Sequence, residues 1–200
     1  MANFISILRI FIAFIAIGLL YIRTPEAYLW ALILTIIAFA MDGLDGWVAR
    51  KFNETSDLGA VLDIMGDRIV EASYWIVFAV LGWISILFPL ICVARAFTTD
   101  SLRSVALSQG YTAFGDKSMQ SSKLGLFICS SKFMRIGYAV AKVLAFILLI
   151  IAFAPGAELC PCNSQVRLVA MTFAWAAIIF CVVRALPVIF ESGKLFKKEK

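Results

Sequence analysis

Aspartate is concentrated in one short part of this 200-residue chain, where five of its seven aspartates lie within 26 residues. Asp42 and Asp45 are three residues apart, and Asp63 and Asp67 are four apart. At these spacings each pair lies on one face of a helix. The segment between the pairs is long enough to turn and bring two antiparallel helices together. Four carboxylates at close range repel one another unless a cation lies between them.

The absence of histidine narrows the chemistry that the chain can perform. It excludes serine–histidine and cysteine–histidine triads and histidine-bound zinc. Hard divalent cations such as Mg²⁺ or Mn²⁺ suit a site whose ligands are all oxygen. Arg50 and Arg68 beside the acids could balance charge or contact a phosphate. The two pairs therefore predict a metal site for phosphoryl chemistry, whereas Asp57, outside both pairs, is interpreted as an ordinary solvated acid.

The composition places these acids in a membrane protein. Hydrophobic residues make up 62% of the chain and charged residues only 16%, which is more apolar surface than a soluble domain of this length can bury. A span takes about 20 apolar residues. Six segments qualify, and they are Phe4–Ile22, Tyr28–Met41, Gly59–Leu81, Trp83–Ala106, Met134–Pro155 and Val166–Phe190. The second is short and is expected to continue as helix toward Arg50.

The sequence therefore predicts an all-α integral membrane protein, with six transmembrane helices forming a single domain over residues 1–200. With both termini cytoplasmic, the inner side carries eleven lysines and arginines, and the outer loops carry only Arg23 and Arg167. This asymmetry satisfies the positive-inside rule. The first apolar segment has no cleavage site after it and is expected to be a retained span.

The five cysteines form no Cys-x-x-Cys pair. Three of them lie in apolar runs, where packing is the usual role of a cysteine. Cys160 and Cys162 flank Pro161, a spacing that is too tight for an easy disulfide. The sequence alone assigns this loop no function.

The acids belong to a longer pattern, which reads Asp42-x2-Asp45-Gly46-x2-Ala49-Arg50-x8-Gly59-x3-Asp63-x3-Asp67. It resembles the complete signature of the CDP-alcohol phosphotransferase family, with all eight fixed positions present. Such a match is far more specific than a lone glycine motif. The resemblance implies a six-helix membrane bundle, a homodimer, and two Mg²⁺ or Mn²⁺ ions at a site that opens to the cytoplasm.

The resemblance also implies roles for individual residues. It implies that Asp42, Asp45 and Asp63 hold metal, and that Asp67 shares the second ion and acts as the general base for the acceptor hydroxyl. Nucleotide contacts are implied for four further residues, which are Asn3, Gly46, Arg50 and Gly59. The segment from Ala2 to Arg9 is similar to the start of many family members. A helix N-cap is the alternative role for Asn3.

The signature does not specify the acceptor alcohol, but basic residues in and near the later spans give evidence about it. An acceptor with its own phosphate needs arginine or lysine to hold it. The candidate acceptor-phosphate residues are Arg95, Arg103, Lys132, Arg135 and Arg184. The stretch from Arg95 to Gly110 resembles part of bacterial phosphatidylglycerophosphate synthases, although Ala96 replaces their glutamate. Snorkelling, or pairing with Asp100 or Glu191, is the alternative for Arg95 and Arg184.

The expected activity is a step of phospholipid synthesis at the inner membrane. The phosphatidyl group of CDP-diacylglycerol passes to sn-glycerol 3-phosphate, giving phosphatidylglycerophosphate and CMP. Inositol phosphate, and less readily serine or inositol, are alternative acceptors. A divalent-cation transporter is the alternative of a different class, and it would place acids near mid-bilayer in both halves of the bundle. No nucleic-acid partner is expected.

Overall fold

Helices form all the regular structure in residues 2–51, 57–111 and 122–194, which are the residues that the computed structural model describes. Seven α-helices follow one another in the order α1 Ala2–Leu20, α2 Pro25–Lys51, α3 Asp57–Val80, α4 Leu87–Ser108, α5 Lys123–Ser130, α6 Lys132–Ala152 and α7 Asn163–Glu191. Short 3-10 helices cover Ala157–Leu159 and Ser192–Lys194. The prediction of an all-helical chain is confirmed for the described residues.

Each of the six predicted apolar segments coincides with one long helix. The expected continuation of the second segment is also confirmed, because α2 runs to Lys51. The short helix α5 was not predicted, since it lies in a stretch with little apolar periodicity. Ser122 is the N-cap of this helix, and its Oγ accepts a hydrogen bond from the Gly125 N–H at 2.9 Å.

Three of the described helices are long and apolar enough to cross a membrane, through the segments Pro25–Gly43, Phe133–Ala152 and Asn163–Glu191. The apolar part of α1, Phe4–Leu20, is shorter. Helices α3 and α4 are interrupted by charged side chains such as Asp63 and Arg95. The six-span count therefore remains a prediction, which requires α1, α3 and α4 to cross the bilayer as well.

Local sequence signals explain where several helices begin and end. Thr24 caps α2 by accepting a hydrogen bond from the Ala27 N–H at 3.3 Å, and Pro25 occupies the first helical position, which tolerates its missing N–H. Gly82 follows α3 and Gly110 follows α4, with φ of 76° and 83°. An L side chain rarely adopts this left-handed backbone, so glycine ends both helices.

The chain forms two compact units, of which the first comprises Met1–Ile86 and Val143–Thr172. Helix α1 packs against both α2 and α3. The core of the unit is aromatic, and the ring of Phe146 stacks on Tyr74 at 5.1 Å and meets Trp75 edge-on at 4.8 Å. Within this core the hydroxyl groups of Thr35 and Tyr74 are 2.7 Å apart. Thr35 and Tyr74 thus join α2 to α3, the two helices that carry the acidic residues.

The second unit comprises Leu87–Lys142 and Phe173–Lys200. Its small hydrophobic core includes Ala106, Cys129 and Val188. The hydroxyl of Ser122 lies 2.5 Å from a carboxylate oxygen of Glu191, which links the start of α5 to the end of α7. The single-domain assignment over residues 1–200 remains a prediction.

Candidate functional site

Three of the four paired aspartates converge in the first unit. Asp42 comes from α2, and Asp63 and Asp67 come from α3. One carboxylate oxygen from each of the three residues lies within 4.8 Å of the others. Their side chains are 40%, 52% and 44% exposed, so ions and substrates can reach them. The convergence of Asp42 with Asp63 and Asp67 is the arrangement that the spacing predicted.

The guanidinium of Arg9 lies among these three carboxylates. Its Nη1 forms an ion pair with Asp42 and another with Asp67 at 3.2 Å, and its Nη2 lies 3.8 Å from the carboxylate of Asp63. The same Nη2 donates a hydrogen bond to the main-chain oxygen of Asp63 at 3.5 Å. The Arg9 side chain is only 3% exposed. The clustered acids therefore do have a cation between them, and it belongs to the chain.

Sequence reasoning did not assign Arg9 to the site. The sequence nevertheless indicated that Arg9 needs a partner, because it is the one charged residue among the 19 residues of α1. A cation in an apolar helix is costly unless it is paired. Gly66 on α3 was missed as well. A Cβ built there would lie 2.8 Å from Arg9 Nη2, so glycine leaves the guanidinium room to approach.

The three aspartates fit a divalent cation by their chemistry. They offer hard, negatively charged oxygens close enough together to share an ion. The Nε of Arg9 is buried and has no hydrogen-bond partner, so Arg9 is held by charge rather than by a complete hydrogen-bond set. A bound Mg²⁺ or Mn²⁺ would replace the charge that Arg9 supplies. Asp42, Asp63 and Asp67 are the described residues that would hold it.

The remaining residues of the predicted site lie partly outside the described residues. Gly59 is half-buried in the first turn of α3. The side chains of Asp45, Arg50 and Asn3, and the surroundings of Gly46, lie outside the described residues, as does the Lys132 side chain. Their roles as metal, nucleotide or acceptor contacts remain predictions.

A second group of charges lies in the second unit, around the ring of Tyr138. The side-chain cations of Lys142, Arg184 and Arg95 lie 5.4, 5.6 and 5.8 Å from the centre of this ring. These distances are typical of cation–π contacts. We call Arg95, Lys142 and Arg184 the basic cluster. It contains two of the five residues predicted to hold an acceptor phosphate, together with Lys142, which that prediction did not include.

Both arginines of the basic cluster carry buried nitrogen atoms that have no hydrogen-bond partner among the described residues. Arg95 is only 9% exposed, and its buried Nε and Nη1 have no hydrogen-bond partner, nor has the buried Nε of Arg184. Glu191, the alternative partner considered for Arg184, contacts the Ser122 hydroxyl at 2.5 Å. Buried guanidinium groups with free donors favour an anionic ligand.

Two further candidates for the acceptor phosphate have different surroundings. Arg135 is exposed, and Arg103 is half-buried near the end of α4. Burial raises the pKa of the Cys129 thiol, and the positive charges of Arg103 and Arg184 oppose that shift. Cys129 therefore lies within the electrostatic reach of both arginines, which supports counting Arg103 with the same positively charged region.

The sequence model of the CDP-alcohol phosphatidyltransferase family matches residues 1–183. The chain is 34% identical over 122 residues to a probable CDP-diacylglycerol–inositol 3-phosphatidyltransferase 2 of Arabidopsis thaliana, covering 60% of this chain and 54% of that protein. It is 29% identical over 101 residues to the CDP-diacylglycerol–glycerol-3-phosphate 3-phosphatidyltransferase of Rickettsia bellii, covering 50% and 56%.

The protein of the same name from Bacillus subtilis is 30% identical over 86 residues, which covers 43% of this chain and 45% of that protein. The matched segments thus span about half the length of these curated relatives. The family match, in contrast, extends over most of the chain and includes all the aspartates that converge on Arg9. This chain therefore belongs to the CDP-alcohol phosphatidyltransferase family.

Proposed function

We propose that this chain transfers the phosphatidyl group of CDP-diacylglycerol to sn-glycerol 3-phosphate. The acceptor hydroxyl oxygen forms a bond to the phosphorus that carries diacylglycerol, and the bond from that phosphorus to the bridging oxygen breaks. CMP leaves, and the hydroxyl proton passes to a carboxylate. The observation that carries the proposal is the convergence of Asp42, Asp63 and Asp67 in a member of this family.

Each acidic residue has a role in this proposal. Asp42, Asp45 and Asp63 would hold the ions, and Asp67 would share the second ion and accept the proton of the acceptor hydroxyl. Two Mg²⁺ or Mn²⁺ ions would neutralise the pyrophosphate and the leaving phosphate. Asp67 is suited to proton transfer because its carboxylate is nearly half exposed, so an acceptor can approach it.

The cytidine nucleotide would be held by the other signature residues. Gly46 and Gly59 allow the backbone to approach it, and Arg50 contacts its phosphates. Asn3 is a further contact. Arg9 keeps the carboxylates close together before the ions bind, because it neutralises charges that would otherwise repel.

The proposal includes a membrane arrangement. Six spans with both termini in the cytoplasm place the acidic site at the inner face of the inner membrane, and two copies form a homodimer. The charge asymmetry supports this orientation, since eleven basic residues then lie inside and two lie outside. Membership of the family favours transfer chemistry over cation transport.

The basic cluster supports an acceptor that carries a phosphate. Three buried donor atoms of Arg95 and Arg184 have no partner, and phosphate oxygens would satisfy them with charge-assisted hydrogen bonds. Arg103, Lys132 and Arg135 complete the proposed acceptor-phosphate set. Serine has no phosphate and would leave these donors unpaired.

Inositol or inositol phosphate is the second candidate acceptor. The Arabidopsis relative is named as an inositol phosphatidyltransferase, and it matches a larger share of this chain than the Rickettsia relative does. Free inositol would not use the unpaired donors of the basic cluster, whereas inositol phosphate would.

CMP release from CDP-diacylglycerol tests the proposal directly. The purified chain is assayed in detergent with Mg²⁺ or Mn²⁺, and glycerol 3-phosphate, inositol phosphate, inositol and serine are offered separately. Stimulation by glycerol 3-phosphate alone is the expected result. Stimulation by another alcohol keeps the chemistry and replaces the acceptor, and no release with any acceptor from a folded chain contradicts the proposed activity.

Substitution within the basic cluster tests the acceptor assignment. Arg95→Met and Arg184→Met should raise the KM for glycerol 3-phosphate about tenfold or more each, since a charge-assisted hydrogen bond is worth about 1.5–3 kcal/mol, while the KM for CDP-diacylglycerol changes little. Arg167→Met is the matched control, because Arg167, near the start of α7, pairs with Glu158 at 3.5 Å outside the proposed site. Equal effects on both substrates would argue against the assignment.

A further inference from the structure

The loop between α6 and α7 holds two thiols in contact. Cys160 and Cys162 are both free and exposed, and their Sγ atoms are 2.7 Å apart. Their spacing made an easy disulfide unexpected, yet the structure shows that separation of the sulfur atoms is not the obstacle. Two sulfurs bound to one metal ion lie farther apart, since each Zn–S bond alone is about 2.3 Å long in a tetrahedral site. The geometry favours chemistry between the two thiols.

The backbone fixes this arrangement from both sides. The Cys160 N–H donates to the Ala157 oxygen at 3.0 Å, and the Asn163 N–H donates to the Cys160 oxygen at 3.0 Å. The Cys162 oxygen accepts from the N–H groups of Gln165 and Val166 in the first turn of α7. Pro161 fixes φ between the two cysteines. The thiols are therefore held together by the start of a helix and by a preceding 3-10 turn.

The loop is also tied to α6. Arg167 donates from Nε to the Ala152 oxygen at 3.4 Å and lies over the ring of Phe153 at 4.5 Å. The same guanidinium pairs with Glu158 at 3.5 Å. These contacts join both ends of the loop. Because the two sulfur atoms are already 2.7 Å apart, forming a bond of about 2.05 Å between them needs only a small movement of the two side chains.

The two thiols differ in acidity. The hydrogen bond from Cys162 lowers the pKa of the Cys160 thiol, and the same contact raises the pKa of Cys162. A hydrogen bond between the two sulfurs stabilises a thiolate on one of them, and the order in which Cys160 attacks and Cys162 keeps its proton is part of the proposal below. Such a division between an attacking and a resolving thiol is what disulfide exchange requires.

We propose that Cys160 and Cys162 form a thiol–disulfide exchange site that reacts with an accessible disulfide. The Cys160 thiolate attacks a disulfide R–S–S–R, which forms a mixed disulfide and releases one R–SH. The Cys162 sulfur then attacks the Cys160 sulfur, loses its proton and releases the second R–SH. The two cysteine thiols are oxidised to one intrachain disulfide, and the added disulfide is reduced to two thiols. This proposal is independent of the proposed phosphatidyl transfer.

The small ring gives the product a definite property. A disulfide across a single intervening residue departs from relaxed geometry, and strained disulfides are the readily reduced, labile ones. Modest concentrations of reduced glutathione should therefore reopen the bond.

The test treats the full-length chain in detergent with the aromatic disulfide 5,5′-dithiobis(2-nitrobenzoate). The wild-type chain should release two thionitrobenzoates, carry no adduct, and lose two hydrogen atoms in intact mass. Cys162→Ser should release one and keep one adduct. The double variant Cys160→Ser/Cys162→Ser measures the background from the three buried cysteines. A wild-type chain that keeps two adducts, or reacts no more than the double variant, would overturn the proposal.

The order of attack is tested by alkylation with iodoacetamide near neutral pH. Cys162→Ser keeps a hydroxyl donor beside Cys160, and Cys162→Ala removes it. Cys160 should react faster in the serine variant. Each unit of pKa lowering raises the thiolate fraction tenfold but reduces its nucleophilicity, so the net gain is about threefold per unit. Equal rates in the two variants would refute the assigned roles.

Discussion

Removing the positive charge of Arg9 should destabilise the metal-free protein and strengthen its binding of divalent cations. One oxygen from each of Asp42, Asp63 and Asp67 lies within 4.8 Å of the others. At that separation two unit charges repel by about 0.9 kcal/mol in water and by about 3.5 kcal/mol at an effective dielectric constant of 20. The carboxylates are about half exposed, so the lower value applies.

The three pairs among these carboxylates then give a repulsion of about 3 kcal/mol that Arg9→Met leaves uncompensated. A destabilisation of about 2–3 kcal/mol corresponds to a fall in Tm of about 5 to 10 °C for a chain of this length. A divalent cation no longer competes with the guanidinium in the variant. If half of the repulsion is recovered on binding, the affinity rises about tenfold, which is worth about 1.4 kcal/mol.

Thermal unfolding in detergent is followed by tryptophan fluorescence. The Tm in EDTA gives the loss of stability, and the increase in Tm when Mn²⁺ replaces EDTA reports the change in cation binding. Electron paramagnetic resonance of free Mn²⁺ gives the affinity independently. Arg167→Met is the control for losing an arginine outside the acidic site, since Arg167 pairs with the exposed Glu158 and also contacts Ala152 and Phe153. Gly66→Ala is a second variant, since its added Cβ displaces the guanidinium but keeps the charge. An Arg9→Met protein with the Tm and Mn²⁺ affinity of the wild type would refute the reasoning.

Three further predictions concern other residues. Asp67→Asn should abolish CMP release but retain binding of radiolabelled CDP-diacylglycerol, and near-normal turnover would exclude Asp67 as the base. Thr35→Val should lower Tm more than Tyr74→Phe, because Thr35 donates to the Ala31 oxygen at 2.7 Å and accepts from Tyr74. The valine leaves the buried Tyr74 hydroxyl without a partner, which costs about 1–3 kcal/mol. Equal Tm values for the two variants would contradict this prediction. Gly125→Ala should destabilise α5, because its Cβ would collide with the Glu191 carboxylate, and Glu191→Ala in the same chain should restore part of the lost Tm.

The acidic part of the site was predictable because its spacing is local. Asp42 on α2, and Asp63 with Asp67 on α3, need only helical periodicity and one turn between the helices to meet. The extension of α2 to Lys51 was predictable because the apolar run before Asp42 is too short to span a bilayer alone, and no proline lies between Asp42 and Lys51.

Other features of the site depend on which helices pack together, and periodicity does not encode that. Arg9 reaches the acids only because α1 packs against both α2 and α3. The gathering of Lys142 with Arg95 and Arg184 around Tyr138 likewise depends on the packing of α4, α6 and α7. Single charges in apolar helices were visible in the sequence, but their partners were not.

The hydroxyl pair inside the first unit has a consequence for the axial register of α2 and α3. Asp42 lies seven residues after Thr35, and Asp67 lies seven residues before Tyr74. Because the two helices run antiparallel, Asp42 and Asp67 lie at the same height, about 10.5 Å along the axis from the hydroxyl contact. A slip of one turn would separate the acids by about 5.4 Å and leave the Tyr74 hydroxyl without its Thr35 acceptor in an aromatic core. The contact between Thr35 and Tyr74 thus fixes the relative axial position of carboxylates that lie two helical turns away.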